Sequence, residues 1–209
     1  VHFVPEDGKA TPSFRPGQFT TIWVNVGNTT GPFDVYQKQR DGVDATNNSL
    51  SISIKKHGLV SGILHDAEIG TTFDLSAPYG CFDLSGVEQL WLSEIDAPVI
   101  FISAGIGITP VLAMLENIYV TRPASWLHAS KNGKVHAYRD RLREIAAVRS
   151  GELQRRVWYS NPIAEDGAPG GNENSSSLMY NLAKYHYKGS MDLPAVASDM
   201  PPTILQLEN

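Results

Sequence analysis

The sequence predicts two domains of different class: an antiparallel β-barrel over residues 1–94 and a doubly wound parallel α/β domain over residues 95–209. Two observations separate them. Ahead of Glu94, apolar and polar residues alternate in short runs broken by turn formers, the pattern of half-buried strands. Beyond Asp96-Ala97-Pro98, a continuous apolar run is followed by helical spacing and then by further strand-like runs, the grammar of a parallel sheet with crossover helices.

In the first half, Gln18–Val26 (QFTTIWVNV) is rich in β-branched and aromatic residues, Leu50–Lys56 (LSISIKK) alternates, and Thr71–Leu75 is a third such run. The Gly, Asn, Asp and Thr content of Gly27–Ser49 reads as loops. Short strands with such breaks suit a barrel or sandwich.

In the second half, Val99–Ala104 (VIFISA) is expected to be a strand covered on both faces. Pro110–Tyr119 follows as a helix whose proline sits in the first turn, where a missing N–H costs nothing. Ser125–Ala129 returns to strand, and Tyr138, Leu142, Ile145 and Arg149 recur at helical spacing among charged residues. Arg156–Ser160 is the next strand, Asn161–Ser177 a polar loop and Leu178–Tyr187 a short helix. Residues 193–209 receive no assignment.

Composition narrows the function classes. A 42% hydrophobic content over 209 residues supplies real cores. The 17 basic and 22 acidic residues are interspersed and leave a net charge of -5, so no basic stripe is available to neutralise a phosphate backbone. A lone cysteine, Cys81, excludes an internal disulfide and a four-cysteine zinc or iron–sulfur site and points to a reducing, cytoplasmic setting. No run reaches the roughly 18 apolar residues of a membrane span. His65, His128 and His136 are too irregularly spaced for a chelating motif and read as packing or surface residues. Gly-x-Ser-x-Gly and His-Glu-x-x-His are absent, so a hydrolase has no support.

The richest segment is Ser103–Pro110. Gly105 and Gly107 lie between the apolar strand and the helix, where their missing side chains let the backbone approach a phosphate and the helix N-terminus favours an anion. A glycine pair alone is equally consistent with a tight strand-to-helix turn.

The wider context carries a resemblance. Ile102–Val111 with Met114-Leu115 resembles the NAD(P)-binding segment of ferredoxin-NADP reductase-like enzymes. Pro16-Gly17-Gln18-Phe19 resembles the family's flavin-domain motif, as do Ile52–Lys56 with Gly58-Leu59-Val60-Ser61 and the turn Ala77-Pro78-Tyr79-Gly80-Cys81-Phe82. Trp126–Ala129, Gly133–Asp140 and Val157–Ser160 narrow the likeness to the reductase part of flavohemoglobins. The resemblance implies a β-barrel binding FAD and an α/β domain binding NAD(P)H, with hydride passing to the flavin and electrons passing on to the haem of a globin domain. With that globin the family converts nitric oxide and oxygen to nitrate. The cofactors carry the redox chemistry and the protein aligns them.

By resemblance, Gly105, Ile106, Gly107, Ile108, Thr109 and Pro110 face the nicotinamide nucleotide, with the Thr109 amide or hydroxyl available to the nicotinamide. Gly58, Val60 and Ser61 hold the FAD pyrophosphate at the start of a short helix, and Phe19 lies beside the flavin. Each has a bland counterpart: Ser61 as a plain helix cap, Phe19 as strand core.

Two departures stand out. The family's Arg-x-Tyr-Ser flavin motif is not intact, because registers through Lys38-Gln39-Arg40-Asp41, Arg40-Asp41-Gly42-Val43 and Asn48-Ser49-Leu50-Ser51 each lose part of it. The chain is expected to start within the first barrel strand with no globin before Val1, and, because the family's Cys-Gly-Pro segment and terminal glutamate-containing stretch have no counterpart, to lack the last strand of the parallel sheet. A degenerate nucleotide-binding or interaction module therefore stands as the alternative to a working reductase. NADH and NADPH are not distinguished.

Overall fold

Strand β2 (Phe19–Val26) organises the N-terminal part of this computed structural model, which describes residues 1–26, 29–38, 49–83, 99–117, 124–149, 152–170 and 184–194. The strand alternates as its sequence requires: Ile22 and Val24 are buried, while Trp23 and Asn25 face outward. It pairs antiparallel with β3 (Thr29–Lys38) over Phe19↔Tyr36 through Val26↔Thr29. Strands β1 (His2–Phe3), β4 (Leu50–Ile52) and β5 (Asp74–Leu75) complete a five-stranded sheet of order β1-β4-β3-β2-β5 among the described residues.

Strand β3 corrects the reading of residues 27–49 as loops. Its Gly31, Pro32 and Asp34 disfavour a strand on composition, but the ladder tolerates them. The Ser76 N–H donates to Thr21 O, so Thr21 and Trp23 turn their backbone groups towards β5. Pro32, opposite Trp23, therefore falls at a pair where β2 asks for no N–H.

Helix α1 (Leu59–Asp66) turns Leu64 into the core with Ile22, Val24, Leu50 and Ile52. Phe3, Phe14, Ile54, Val60, Ile63, Phe73 and Leu75 pack around these, and Phe3 meets Phe73 edge to face at 5.9 Å.

The other sheet is parallel. Strands β6 (Val99–Ala104), β7 (Ala124–Ser130), β8 (Leu153–Tyr159) and β9 (Tyr187–Lys188) run in the order β6-β7-β8-β9. Helix α2 (Ile108–Asn117) follows β6, and helix α3 (Arg139–Val148), with Leu142, Ile145 and Ala146 buried, joins β7 to β8. Pro110 is the third residue of α2, within its first turn as expected.

Register places Phe101, Trp126 and Arg155 on one sheet face with Ser103 and His128, and Ile102, Leu127 and Arg156 on the other. The expectation that β6 is covered on both faces is corrected: Val99, Phe101 and Ser103 are buried, but Ile102 is 52% exposed. The unbroken apolar run hides a strand whose second face is covered at Ile100 and open at Ile102. The second face carries a smaller cluster of Leu127 and Trp158 with Ile100, Tyr187 and Met191.

The helix expected over Leu178–Tyr187 falls largely on residues outside the described set, and its last residue lies in a strand instead. The His186 N–H donates to Val157 O at 2.8 Å, the Gly189 N–H donates to Tyr159 O at 2.9 Å, and His186 Nδ1 accepts the Val157 N–H at 2.9 Å. Pairing with β8 satisfies these groups better than a frayed helical turn would.

The chain divides into two compact units, Val1–Gln89 with Thr109–Asn117 and Leu90–Ile108 with Ile118–Asn209. The expected boundary near Glu94 lies among residues outside the described set. Among the described residues, no helix is long and apolar enough to cross a membrane and no cluster of His, Cys, Asp and Glu is arranged to hold a metal ion.

Candidate functional site

Strand β6 ends at Ala104 in extended backbone, and Gly105–Gly107 then form a single 3₁₀ turn that runs into α2. Gly105 has φ +51°, a conformation natural to glycine and strained for a side chain. A Cβ on Gly105 or on Gly107 would meet no atom within 4 Å. Gly107 has an ordinary φ, so neither local packing nor backbone conformation demands glycine there; its missing side chain keeps the space above the turn open. No side chain caps the turn, and neither it nor α2 carries an acidic residue in its first turn, so no carboxylate there repels an incoming anion.

The six residues expected to act together split in two. Gly105 is half-buried, and Ile106 and Gly107 are exposed. Ile108, Thr109 and Pro110 are buried, Thr109 to 4% exposure and Ile108 to 0%. Thr109 thus sits within the packed start of α2. The physical reason is that Ile108–Pro110 form the first turn of α2 and share in its packing.

At the N-terminus of α1, Gly58 has φ +95° with open space where a Cβ would stand, and no side chain caps the helix. The first N–H groups of a helix lack intrahelical acceptors, so Leu59, Val60 and Ser61 present theirs here. Ser61 is 4% exposed: its Oγ accepts the His57 N–H at 2.8 Å and donates to Gly58 O at 3.4 Å. Ser61 therefore braces the turn with its hydroxyl.

Phe19, half-buried at the start of β2, packs its ring 4.3 Å from that of Tyr79, and Gly80 is a glycine because a Cβ would stand 2.7 Å from the Phe19 ring. Tyr79 hydrogen bonds to the Thr21 hydroxyl and is 42% exposed. Tyr79 carries no signal of a role in the sequence beyond its place in the turn Ala77–Phe82, because its pairing with Phe19 depends on the bridge between the two residues. Cys81 is exposed and free.

Below the glycine turn, the sheet face of the second unit carries buried polar groups. Trp126 Nε1–H donates to Ser103 Oγ at 2.9 Å, and Ser103 Oγ lies 2.9 Å from His128 Nδ1. The His128 ring stacks 4.6 Å from His136, whose Nδ1 lies 2.9 Å from the Tyr159 hydroxyl. Burial, reinforced for His128 by the Arg155 guanidinium, pushes His128 down to about 3. Burial likewise lowers His136 to about 2, with His128 and Arg155 adding to the shift. Burial raises the Tyr159 phenol to about 12. Both imidazoles are therefore neutral packing groups, whereas His65 is exposed beside Asp66.

Comparison with known proteins places this geometry. Residues 101–192 match the family described as the oxidoreductase NAD-binding domain. The chain is 34% identical over 168 residues to a flavohemoprotein of Burkholderia sp. (strain TH2), covering 78% of this chain and 39% of that protein. A flavohemoprotein of Chromobacterium violaceum is 35% identical over 175 residues, covering 78% and 40%. The flavohem-like FAD/NAD binding domain of nitric oxide dioxygenase from Vibrio cholerae superposes with a TM-score of 0.70 at 25% identity, covering 96% of this chain and 75% of that one. The chain is thus similar to the flavohemoproteins over most of its length, and its second half matches an oxidoreductase NAD-binding domain.

This chain spans about two fifths of the flavohemoproteins it matches. The matched NAD-binding region includes the Gly105–Gly107 turn and the Ser103–Tyr159 network. The altered Arg-x-Tyr-Ser region of the reductase flavin domain falls mainly on residues 39–48, outside the described set.

Proposed function

We propose that this chain is a flavin-dependent NAD(P)H oxidoreductase module, with residues 1–94 holding FAD and residues 95–209 holding the nicotinamide nucleotide. The observation that carries this reading is the Gly105–Gly107 turn, where open space over both glycines and a 3₁₀ turn without a side-chain cap meet at the end of a parallel strand.

The residues fit both groups. Gly105, Ile106 and Gly107 would receive the nucleotide pyrophosphate on backbone N–H groups, with Ile108, Thr109 and Pro110 fixing the helix behind them. Gly58, Val60 and Ser61 would receive the flavin pyrophosphate at the start of α1, and Phe19 with Tyr79 offers an aromatic surface to the isoalloxazine. When bound, the nicotinamide supplies a hydride and the flavin accepts it, splitting the electron pair for one-electron delivery. The chain's own contribution is to bind, align and keep open the approach to the glycine turn.

The electron acceptor in this reading is the haem of a globin domain, as in the nitric oxide dioxygenase type, and the setting is cytoplasmic, which the single free Cys81 favours. Structural likeness over 96% of the chain supports a two-cofactor module over one reduced to nucleotide binding alone.

The test is reconstitution of the chain with FAD. The expected result is a retained flavin absorbance band that NADH or NADPH bleaches under anaerobic conditions. Loss of all flavin on desalting, or a band that neither nucleotide bleaches, overturns the reading.

A further inference from the structure

The buried face beneath the glycine turn holds more polar chemistry than packing requires. Ser103, Trp126, His128, His136 and Tyr159 are each at most 6% exposed, and each takes part in a chain of hydrogen bonds and ring stacks. Aliphatic side chains would fill the same volume without hydrogen bonds that must be kept satisfied. A metal site does not explain the set. The two imidazoles stack at 4.6 Å, and among the described residues no group of His, Cys, Asp and Glu is arranged to hold an ion.

Placement explains it better. Ser103 directly precedes Ala104, the residue that enters the Gly105–Gly107 turn. His136 belongs to the connection between β7 and α3, and Tyr159 is the last residue of β8. The chain of contacts thus ties the ends of three adjacent parallel strands to the connection after β7. Nucleotides on open parallel sheets lie across these C-terminal strand ends, so the spacing of the two loops decides whether both halves of a dinucleotide are met together.

We propose that Ser103, His128, His136 and Tyr159 are positioning residues for the nicotinamide nucleotide, holding the glycine turn and the β7–α3 connection at a fixed separation. This rests on the nucleotide-binding reading above. The Trp126 indole is donor-only, so Ser103 Oγ must accept from it. Removing the Ser103 hydroxyl strands that N–H and frees the strand end to shift.

The test uses the full chain reconstituted with FAD. Calorimetry gives the Kd of NADH, ferricyanide reduction gives KM and kcat, absorbance gives the flavin-to-protein ratio, and thermal unfolding reports the fold. Ser103→Ala and Tyr159→Phe are each expected to raise the NADH Kd and KM about tenfold, the scale of one lost hydrogen bond, with kcat falling less than KM rises and flavin content unchanged. His128→Asn, which retains a hydrogen-bonding group near Nδ1, is expected to stay closer to the parent than His128→Leu. If Ser103→Ala fails to fold, Tyr159→Phe, which removes one oxygen, carries the decision. Variants that melt earlier yet bind NADH like the parent overturn the positioning role and leave the nucleotide reading intact. A parent chain that binds no NADH overturns both.

Discussion

Asp166 receives the Gly133 N–H on both carboxylate oxygens, at 3.1 and 3.2 Å, and its Oδ2 also accepts the Ile163 N–H at 2.9 Å. One buried carboxylate thus pins the connection after β7 to the connection after β8. Gly133 is obligatory because a Cβ there would stand 2.2 Å from Asp166 Oδ1. Gly133→Ala is expected to destabilise the chain by about 2 kcal/mol through this clash, and Asp166→Ala by about 2 kcal/mol through stranded donors. Urea unfolding midpoints check both; unchanged midpoints would sink the pin.

Acid should unfold this chain through His128 and His136. Their folded pKa values, about 3 and about 2, lie below the ordinary value of 6.5, so the unfolded chain binds more protons as pH falls. The stabilisation is complete above pH 6.5 and is lost between there and the folded values. At pH 5 the loss is about 2 kcal/mol per imidazole. Denaturation curves at pH 7.5 and pH 5 test this, and His136→Gln should reduce the pH slope by roughly half.

Two glycines with nearly the same φ should respond differently to alanine. Gly17, at φ +98°, would place a Cβ 1.9 Å from the Phe82 carbonyl oxygen, and backbone cannot rotate aside as a side chain can. Gly70, at φ +97°, has open space at that position. Gly70→Ala is expected to cost about 1–2 kcal/mol from backbone strain alone, and Gly17→Ala about 2 kcal/mol more. Equal losses of stability would remove the steric part of the explanation.

Gly107→Val separates binding from folding. Its Cβ would meet no atom within 4 Å and its φ is ordinary, so the unfolding midpoint is expected to move by less than about 0.5 kcal/mol. NADH affinity should fall at least about tenfold as the side chain fills the space over the turn. Unchanged affinity would place the nucleotide elsewhere.

Sequence patterns revealed most of the second sheet. Val99–Ala104 matches β6 residue for residue, and β7, β8 and α3 depart from their expected bounds by only a few residues. These elements announce themselves through apolar runs and helical spacing. Strand β3 does not, because its order comes from pairing with β2, and its Gly31 and Pro32 argue locally for a turn. The glycine turn was legible as a strand-to-helix turn, but the burial of Thr109 was not, since burial depends on what packs against α2. The Ser103–His128 bond joins residues distant in sequence that the β6–β7 register sets opposite each other. Trp126 and His128, two apart on one strand, were its local trace.

The order β6-β7-β8-β9 also bears on how the second sheet assembles. Each strand pairs with the one before it in the chain, so Val99 to Ala124, Ala124 to Leu153 and Trp158 to Tyr187 close loops of similar length. The entropy of closure grows only with the logarithm of loop length, so every added strand faces a comparable, modest barrier. Among the described strands, assembly can advance outward from β6 one strand at a time as the polypeptide leaves the ribosome.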